Sequence, residues 1–248
     1  MQHSDYIFFN HGMSNTTYTA IVLKKQPLGE GDELVTFYSR ENGKIRALAK
    51  SVKLPKSKLA PSLQTLYCLN LQLAGSRLPK IIGAQVLKAY ARLRENLAAT
   101  ANAYYALESV IKFTPDEQVN SKLYDLLDNF LEYLNKNADK PECLVYGLVK
   151  FKIHFLEELG YTIKPPEMSL SGNLAFSSTQ GGFVENISAD AMTVTPADAS
   201  AFLTLHEASW PELSGLRISA GYMNQLISAF MEFHMERKVK SDAFLNML

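Results

Sequence analysis

The first third of the chain alternates between apolar and polar residues with the two-residue period of β-strands. Turn signals separate the runs: Gly29 and Gly31 frame one turn, and Asn42-Gly43 is a strong hairpin signal. The pattern predicts five short strands, at residues 18–23, 33–39, 44–50, 66–73 and 78–86. Five strands within about 70 residues favour a closed barrel of the OB (oligonucleotide/oligosaccharide-binding) type.

The rest of the chain has mainly helical periodicity. Leu123, Leu126, Leu127, Phe130 and Leu131 recur at the spacing of one helix face. Helices are predicted at residues 90–113, 123–134, 141–159, 196–205 and 219–236, with a small hairpin near Gln180. The predicted class is therefore α+β. It has a flexible lead-in at 1–16, an OB barrel at 17–88, a helical domain at 89–164 and 196–248, and a small insert at 165–195.

The charge is divided unevenly between these parts. Residues 1–94 hold 14 Lys and Arg against 5 Asp and Glu, a net charge of +9, and the remainder has a net charge of −9. A basic half joined to an acidic half suggests that the basic half binds a polyanion.

The third predicted strand and its exit carry the densest basic cluster. Alternation assigns Ile45, Ala47 and Ala49 to the barrel interior, so that Lys44 and Arg46 point outward. One acid, Glu41, interrupts the cluster, which favours a phosphate-contacting surface over a merely solvated one. The predicted DNA-binding residues are Arg40, Lys44, Arg46, Lys50, Lys53, Lys56 and Lys58.

Aromatic side chains could add stacking platforms for bases. Phe37, Tyr38 and Tyr67 are the candidates, and core packing is the competing interpretation for each of them.

Signals for catalysis or a metal are weak. The five histidines and two cysteines form no metal-ligand spacing, no nucleotide-binding loop occurs, and Glu30, Asp32 and Glu33 fit a solvated turn. We therefore expect no enzymatic activity and no cofactor.

Cys68 and Cys143 should be buried free thiols, compatible with a reducing cytoplasm. Nothing resembles a signal peptide or a membrane span.

The sequence resembles the recombination protein O (RecO) family of bacterial repair mediators. The resemblance rests on the order and spacing of several segments, since none of them is specific alone. They are residues 18–23 with 29–37, residues 43–50 with 56–59, residues 155–161, and residues 233–237 with 240–241 and 244–245.

This resemblance implies a DNA-binding mediator of recombinational repair in the cytoplasm, associated with the nucleoid. Such a protein binds single- and double-stranded DNA and anneals complementary strands. With a RecR-like partner, it helps load the RecA-type recombinase onto strands coated with single-strand-binding protein. The alternatives are an OB-fold RNA-binding protein and a protein-interaction adaptor.

The resemblance also implies a zinc site in the insert of many members, which this chain should lack. Met168, Ser171, Glu185 and Ser188 occupy the positions of the four cysteines. Without metal, the insert must be held by apolar residues such as Leu174, Phe176 and Phe183, or stay mobile.

The resemblance finally implies that the helical domain holds the acidic tail of single-strand-binding protein, which ends in a Phe carboxylate. Phe151, Phe155 and Leu159 are expected to form an apolar slot, with Lys150 beside it to pair with the carboxylate. The neighbouring Lys152 is expected to be a solvated surface charge.

Overall fold

A computed structural model describes residues 15–166, 174–185 and 189–235, together with Val239, Ser241 and Leu245. Of the predicted zinc-position residues, Met168, Ser171 and Ser188 therefore lie outside the described chain, whereas Glu185 lies within it and is exposed.

The N-terminal part is a closed barrel of five strands in the order β1-β2-β3-β5-β4. The neighbouring strands are antiparallel, except for the short parallel contact of β3 with β5, which pairs Leu48 with Lys80. The strands are β1 (Asn15–Leu28), β2 (Asp32–Ser39), β3 (Gly43–Ala49), β4 (Cys68–Ala74) and β5 (Lys80–Lys88). All five predicted strands are present, but β1 is longer at both ends than the pattern indicated and includes two residues assigned to the lead-in.

Alternate residues of the strands fill the barrel, and Ile45, Ala47 and Ala49 point inward as predicted. Val52 and Leu63, from the connection between β3 and β4, complete this core. That connection therefore packs against the barrel and does not project freely into solvent.

The outward residues of β1 and β2 are buried as well. Ile21, Leu23 and Tyr38 belong to the larger core that the helices form. Because β1 is covered on both faces, its centre is a continuous apolar run and not an alternating one.

The helical part begins after a break that the sequence did not reveal. Tyr90 has a left-handed backbone (φ 46°) and is followed by a short 3-10 turn, Ala91–Glu95. Asn96 then caps α1 by accepting a hydrogen bond from the Ala99 amide at 2.9 Å. The single helix predicted at 90–113 is therefore two elements.

The long helices otherwise follow the predicted periodicity. They are α1 (Leu97–Phe113), α2 (Ser121–Lys136), α3 (Pro141–Glu158), α4 (Pro196–Glu207) and α6 (Gly221–Met235). A one-turn helix, α5 (Trp210–Leu213), was not predicted.

The insert contains a three-stranded sheet of β6 (Ala175–Ser177), β7 (Gly182–Val184) and β8 (Met192–Thr193). The hairpin near Gln180 is confirmed. Phe176 and Phe183 meet edge to face at 5.2 Å and join the core of the helical domain, with Leu174 packed against it. Apolar packing thus anchors this sheet, which is the first of the two alternatives expected for an insert without zinc.

Cys68 and Cys143 are buried free thiols, as predicted. In the described part of the chain, no helix combines the length and apolar character needed to cross a membrane.

Candidate nucleic-acid interface

The seven predicted DNA-binding residues divide into two groups. Lys44 does not belong on an open surface, because its ammonium group is buried between the barrel and the helices. It donates to the carbonyl oxygens of Ile111 (2.8 Å) and Thr114 (2.5 Å) and lies 3.3 Å from an Asp116 carboxylate oxygen. Lys44 does point away from the barrel interior, but the helical domain covers it, so its assignment to DNA was wrong.

Arg40 and Arg46 are exposed but ion-paired with the helical part. Arg40 forms two hydrogen bonds with Asp125 of α2, at 2.5 and 3.1 Å. Arg46 donates to Asp116 at 2.7 Å. Both would have to exchange a carboxylate for a phosphate in order to contact DNA, which makes them poorer candidates than unpaired cations.

The second group consists of the remaining four residues, here called the loop lysines: Lys50, Lys53, Lys56 and Lys58. All four are exposed on the β3–β4 connection. None of them has a carboxylate within ion-pairing distance among the described residues, in contrast to the first group.

The backbone that carries the loop lysines is held in place. The Ser51 amide donates to Asp32 at 2.7 Å, and the Lys53 amide donates to the Gly31 carbonyl at 3.0 Å. The buried side chains of Val52 and Leu63 anchor the two sides of the loop. The loop lysines therefore extend from a fixed base on the rim of the barrel.

Two further cations, which the sequence pattern did not single out, adjoin this surface. Lys80 pairs with Leu48 in the β3–β5 contact, and Arg77 precedes it in the exposed β4–β5 turn. Arg77 and Lys80 lie 19 to 30 positions from the loop lysines in sequence, so the closure of the barrel is what brings them near.

The aromatic candidates are packed side chains. Phe37 is in the barrel core, and Tyr38 is buried against the helices, where burial, with a smaller effect from Glu158, raises its pKa to about 12. Tyr67 is partly exposed, but the Arg94 guanidinium lies 4.6 Å from its ring centroid. Core packing explains Phe37 and Tyr38, and Tyr67 alone remains a candidate platform.

The prediction that α3 offers a slot for the tail of single-strand-binding protein is wrong as well. Phe151 and Phe155 are completely buried and stack on each other at 5.4 Å, leaving no open slot, while Leu159 is only partly exposed. The Lys150 ammonium is buried and donates to the His206 carbonyl at 2.9 Å. Burial lowers the pKa of Lys150.

The prediction that Lys152 is a solvated surface charge is also wrong. It is 0% exposed and donates to Asn224 at 2.9 Å and Ser228 at 2.6 Å on α6. Its ammonium also lies 4.5 Å from the ring centroid of Tyr105.

An open groove does exist elsewhere on the helical part, with a volume of about 540 Å³. It lies between the end of α2 and α5, and the Tyr133 and Trp210 rings, 5.6 Å apart, form its apolar floor. Lys136 and Lys140 line it; Lys136 pairs with Glu132 at 2.7 Å, whereas Lys140 contacts only the Asn137 side chain, at 3.4 Å. The groove thus combines an apolar surface with a cation that has no acidic partner among the described residues.

The fold also brings together three side chains of metal-binding types, His154, Glu157 and His206, on α3 and α4. Glu157 accepts from His154 at 2.7 Å and from His206 at 2.8 Å. The sequence spacing gave no indication of this cluster, because His206 lies on a different helix, beyond the insert.

Known proteins support one assignment for the whole chain. A family model described as "Recombination protein O N terminal" matches residues 13–90, and one described as "Recombination protein O C terminal" matches residues 94–243. A protein of Dehalococcoides mccartyi named "DNA repair protein RecO" is 28% identical, over 92% of this chain and 94% of its own. One of Pelotomaculum thermopropionicum with the same name is 30% identical, over 92% of each chain. The chain therefore belongs to the recombination protein O family.

Proposed function

We propose that this protein is a non-catalytic DNA-binding mediator of recombinational repair. In this proposal it binds single- and double-stranded DNA, anneals complementary strands and, with a RecR-like partner, helps a RecA-type recombinase load onto strands coated with single-strand-binding protein. The observation that carries the proposal is the set of loop lysines. They are exposed, and none of them is ion-paired with a carboxylate among the described residues, whereas the other cations of the predicted cluster face the helical part.

Electrostatics explains why this set matters more than the net charge. Each phosphate that a lysine neutralises releases counterions, which drives binding and makes it dependent on salt. A cation already paired with a carboxylate releases fewer ions when it turns to a phosphate. The loop lysines, extended by Arg77 and Lys80, should therefore dominate affinity for DNA.

The direct test is a salt titration of single-stranded DNA binding. Replacing Lys50, Lys53 and Lys56 with Ala should reduce the slope of log affinity against log salt by about 2, at roughly 0.7 per phosphate contact. A matched control replaces three exposed cations of the helical part, Lys122, Lys164 and Arg217, and should leave the slope nearly unchanged. Equal slopes for the two triple variants would refute the assignment.

Two functional measurements separate mediation from simpler activities. The protein should accelerate annealing of complementary oligonucleotides coated with single-strand-binding protein, and the loop triple variant should not. Equal affinity for RNA of the same length would favour the RNA-binding alternative, whose discrimination would need contacts to the 2′-hydroxyl. Absence of salt-dependent DNA binding would favour the adaptor.

We further propose that the α2–α5 groove is the seat of the tail of single-strand-binding protein, in place of α3. A terminal Phe needs an apolar contact, which Tyr133 and Trp210 offer, and its carboxylate needs a cation. Lys140 is the cation available for that role, since Lys136 already pairs with Glu132.

Trp210 is the only tryptophan of the chain, so its fluorescence reports on this groove directly. Lys140→Glu should weaken binding of an acidic peptide ending in Phe by about 1–3 kcal/mol, the range for a charge-assisted contact. Lys122→Glu, which makes the same charge change outside the groove, should have little effect. If both variants bind the peptide equally well, the groove is not its seat.

A further inference from the structure

We propose that His154, Glu157 and His206 form a binding site for a divalent transition-metal ion such as Zn²⁺, clamping the end of α3 to the end of α4. Nothing in the DNA-binding proposal requires this site.

The geometry is close to that of a three-ligand zinc centre. One possible ligand atom of each side chain lies within 4.8 Å of the other two, and the Glu157 carboxylate is 2.7 Å from His154 Nδ1 and 2.8 Å from His206 Nε2. Around a tetrahedral zinc with bonds of about 2.0–2.1 Å, ligand atoms are about 3.4 Å apart. Metal binding would draw the three side chains, which are 28–37% exposed, to that spacing. Two imidazoles with one carboxylate are a common donor set for zinc, and three protein ligands leave a fourth position for water.

The surroundings hold the ligands in orientation. The two imidazole rings stack with centroids 5.1 Å apart, and each bonds one oxygen of Glu157. His154 Nε2, the nitrogen turned away from Glu157, lies 3.1 Å from the His206 carbonyl oxygen. Without metal, Nε2 accepts from the Lys150 ammonium and the Nδ1 N–H donates to Glu157, so a metal that binds Nδ1 displaces that proton.

The neighbouring cation does not occupy the site. The Lys150 ammonium lies 2.9 Å from His154 Nε2, on the side of the ring opposite Glu157. It also donates to the carbonyl oxygens of Leu205 and His206, so it does not depend on the imidazole for a partner. Its charge would reduce metal affinity, and the Glu157 carboxylate would offset that effect.

The position of the cluster suggests what the ion would do. Residues 159–195, which include the insert, connect α3 to α4, and the metal would close this long connection. A clip that closes a long loop restricts the unfolded chain and so stabilises the folded one. The metal would fix the helical part around the insert without taking part in any reaction.

The test uses the full chain, stripped of metal with a chelator, and Zn²⁺ alone as the probe. In competition with a chromophoric chelator, the wild-type protein should bind one equivalent of Zn²⁺ in its tightest class. Glu157→Gln, His206→Gln and His154→Gln should each weaken that class about 100-fold or more, since even the groups that orient ligands contribute 10–100-fold. His234→Gln is the matched control and should bind as the wild type does.

Thermal unfolding gives a second readout. Zn²⁺ should raise the Tm of the wild type and of His234→Gln, because it binds only the folded site, and should not raise the Tm of the ligand variants. All three side chains are 28–37% exposed, but His154 also accepts from the buried Lys150 ammonium, so the Gln variants of Glu157 and His206 should fold even if His154→Gln does not. A tight class of Zn²⁺ that survives in those two variants, or no tight class in the wild type, would overturn the proposal.

Discussion

At the scale of single residues, Lys44 and Lys150 have the same role in different places. Each ammonium group donates to carbonyl oxygens at the end of a helix on another element: Ile111 and Thr114 at the end of α1, and Leu205 and His206 at the end of α4. The last carbonyls of a helix have no partner within it and carry partial negative charge. These lysines therefore cap helices from outside, which accounts for their burial without a deeply buried acid.

Lys44→Met should destabilise the protein by about 1–3 kcal/mol, because it leaves two carbonyl groups at the end of α1 without their charged donor. Urea unfolding measures the change. The neighbouring Arg46→Met removes an exposed ion pair with Asp116 and should cost no more than about 1 kcal/mol. Equal losses for the two variants would contradict the capping role.

At the scale of elements, close approach between α2 and α3 depends on a glycine. A Cβ atom at Gly147 would lie 2.7 Å from two ring carbons of Tyr133, closer than unstrained atoms allow. The same tyrosine ring contacts Trp210, so the packing of these two helices sets the floor of the groove. Alanine is a better helix former than glycine, and the steric and propensity effects therefore oppose each other here.

Gly147→Ala should destabilise the protein by about 1–3 kcal/mol, since overpacking exceeds the gain of up to about 1 kcal/mol from helix propensity. Gly221→Ala, at the start of α6 with open space around its Cβ, is the control and should be neutral or stabilising. Chemical denaturation followed by Trp210 fluorescence measures both. A stabilised Gly147→Ala variant would show that Tyr133 moves aside at little cost.

At the scale of the whole molecule, the opposite charges of the two halves largely face each other. Arg40 pairs with Asp125, Lys44 and Arg46 pair with Asp116, Lys88 pairs with Asp128 and Glu132, and Arg92 pairs with Asp139. The charge asymmetry of the sequence therefore reflects docking of the barrel on the helices as well as any polyanion. The loop lysines are the part of the basic cluster that is not paired with carboxylates of the described helical part.

The β2–β3 hairpin shows how closely the two parts are joined. Gly43 has a left-handed backbone (φ 63°), and a Cβ there would lie 1.9 Å from the Gln118 carbonyl oxygen in the α1–α2 connection. The Glu117 amide donates to the Lys44 carbonyl at 2.8 Å, which extends this contact.

Gly43→Ala should therefore destabilise the whole protein by more than the ~1–3 kcal/mol of backbone strain alone. Gly29→Ala isolates that strain, because Gly29 is also left-handed (φ 68°) but has open space around it. Differential scanning calorimetry of the two variants against the wild type gives the comparison. Equal shifts in Tm would mean that the hairpin tip can leave the helices without loss.

The sequence by itself determined the family and most of the elements, but not the break at Tyr90 or the one-turn helix α5. Strand alternation, helix periodicity, and turn and capping residues are local properties, and the apolar pattern alone places Ile45, Ala47 and Ala49 inside the barrel. The sequence also predicted the hairpin of the insert and the buried thiols, and it singled out the loop lysines as part of a basic cluster. These predictions needed no knowledge of which elements touch.

Only the tertiary structure decided which charges are free. Lys44, Lys150 and Lys152 look the same in sequence as Lys53 or Lys56, since a lysine's burial depends on the element that packs over it. Tyr38 and Phe155 were candidates for contact with ligands until the helices were seen to cover them. The groove beside Trp210, the cations Arg77 and Lys80, and the His154–Glu157–His206 cluster all join residues from different elements. Such sites arise because residues distant in sequence pack together, and a local sequence pattern does not show which distant residues do so.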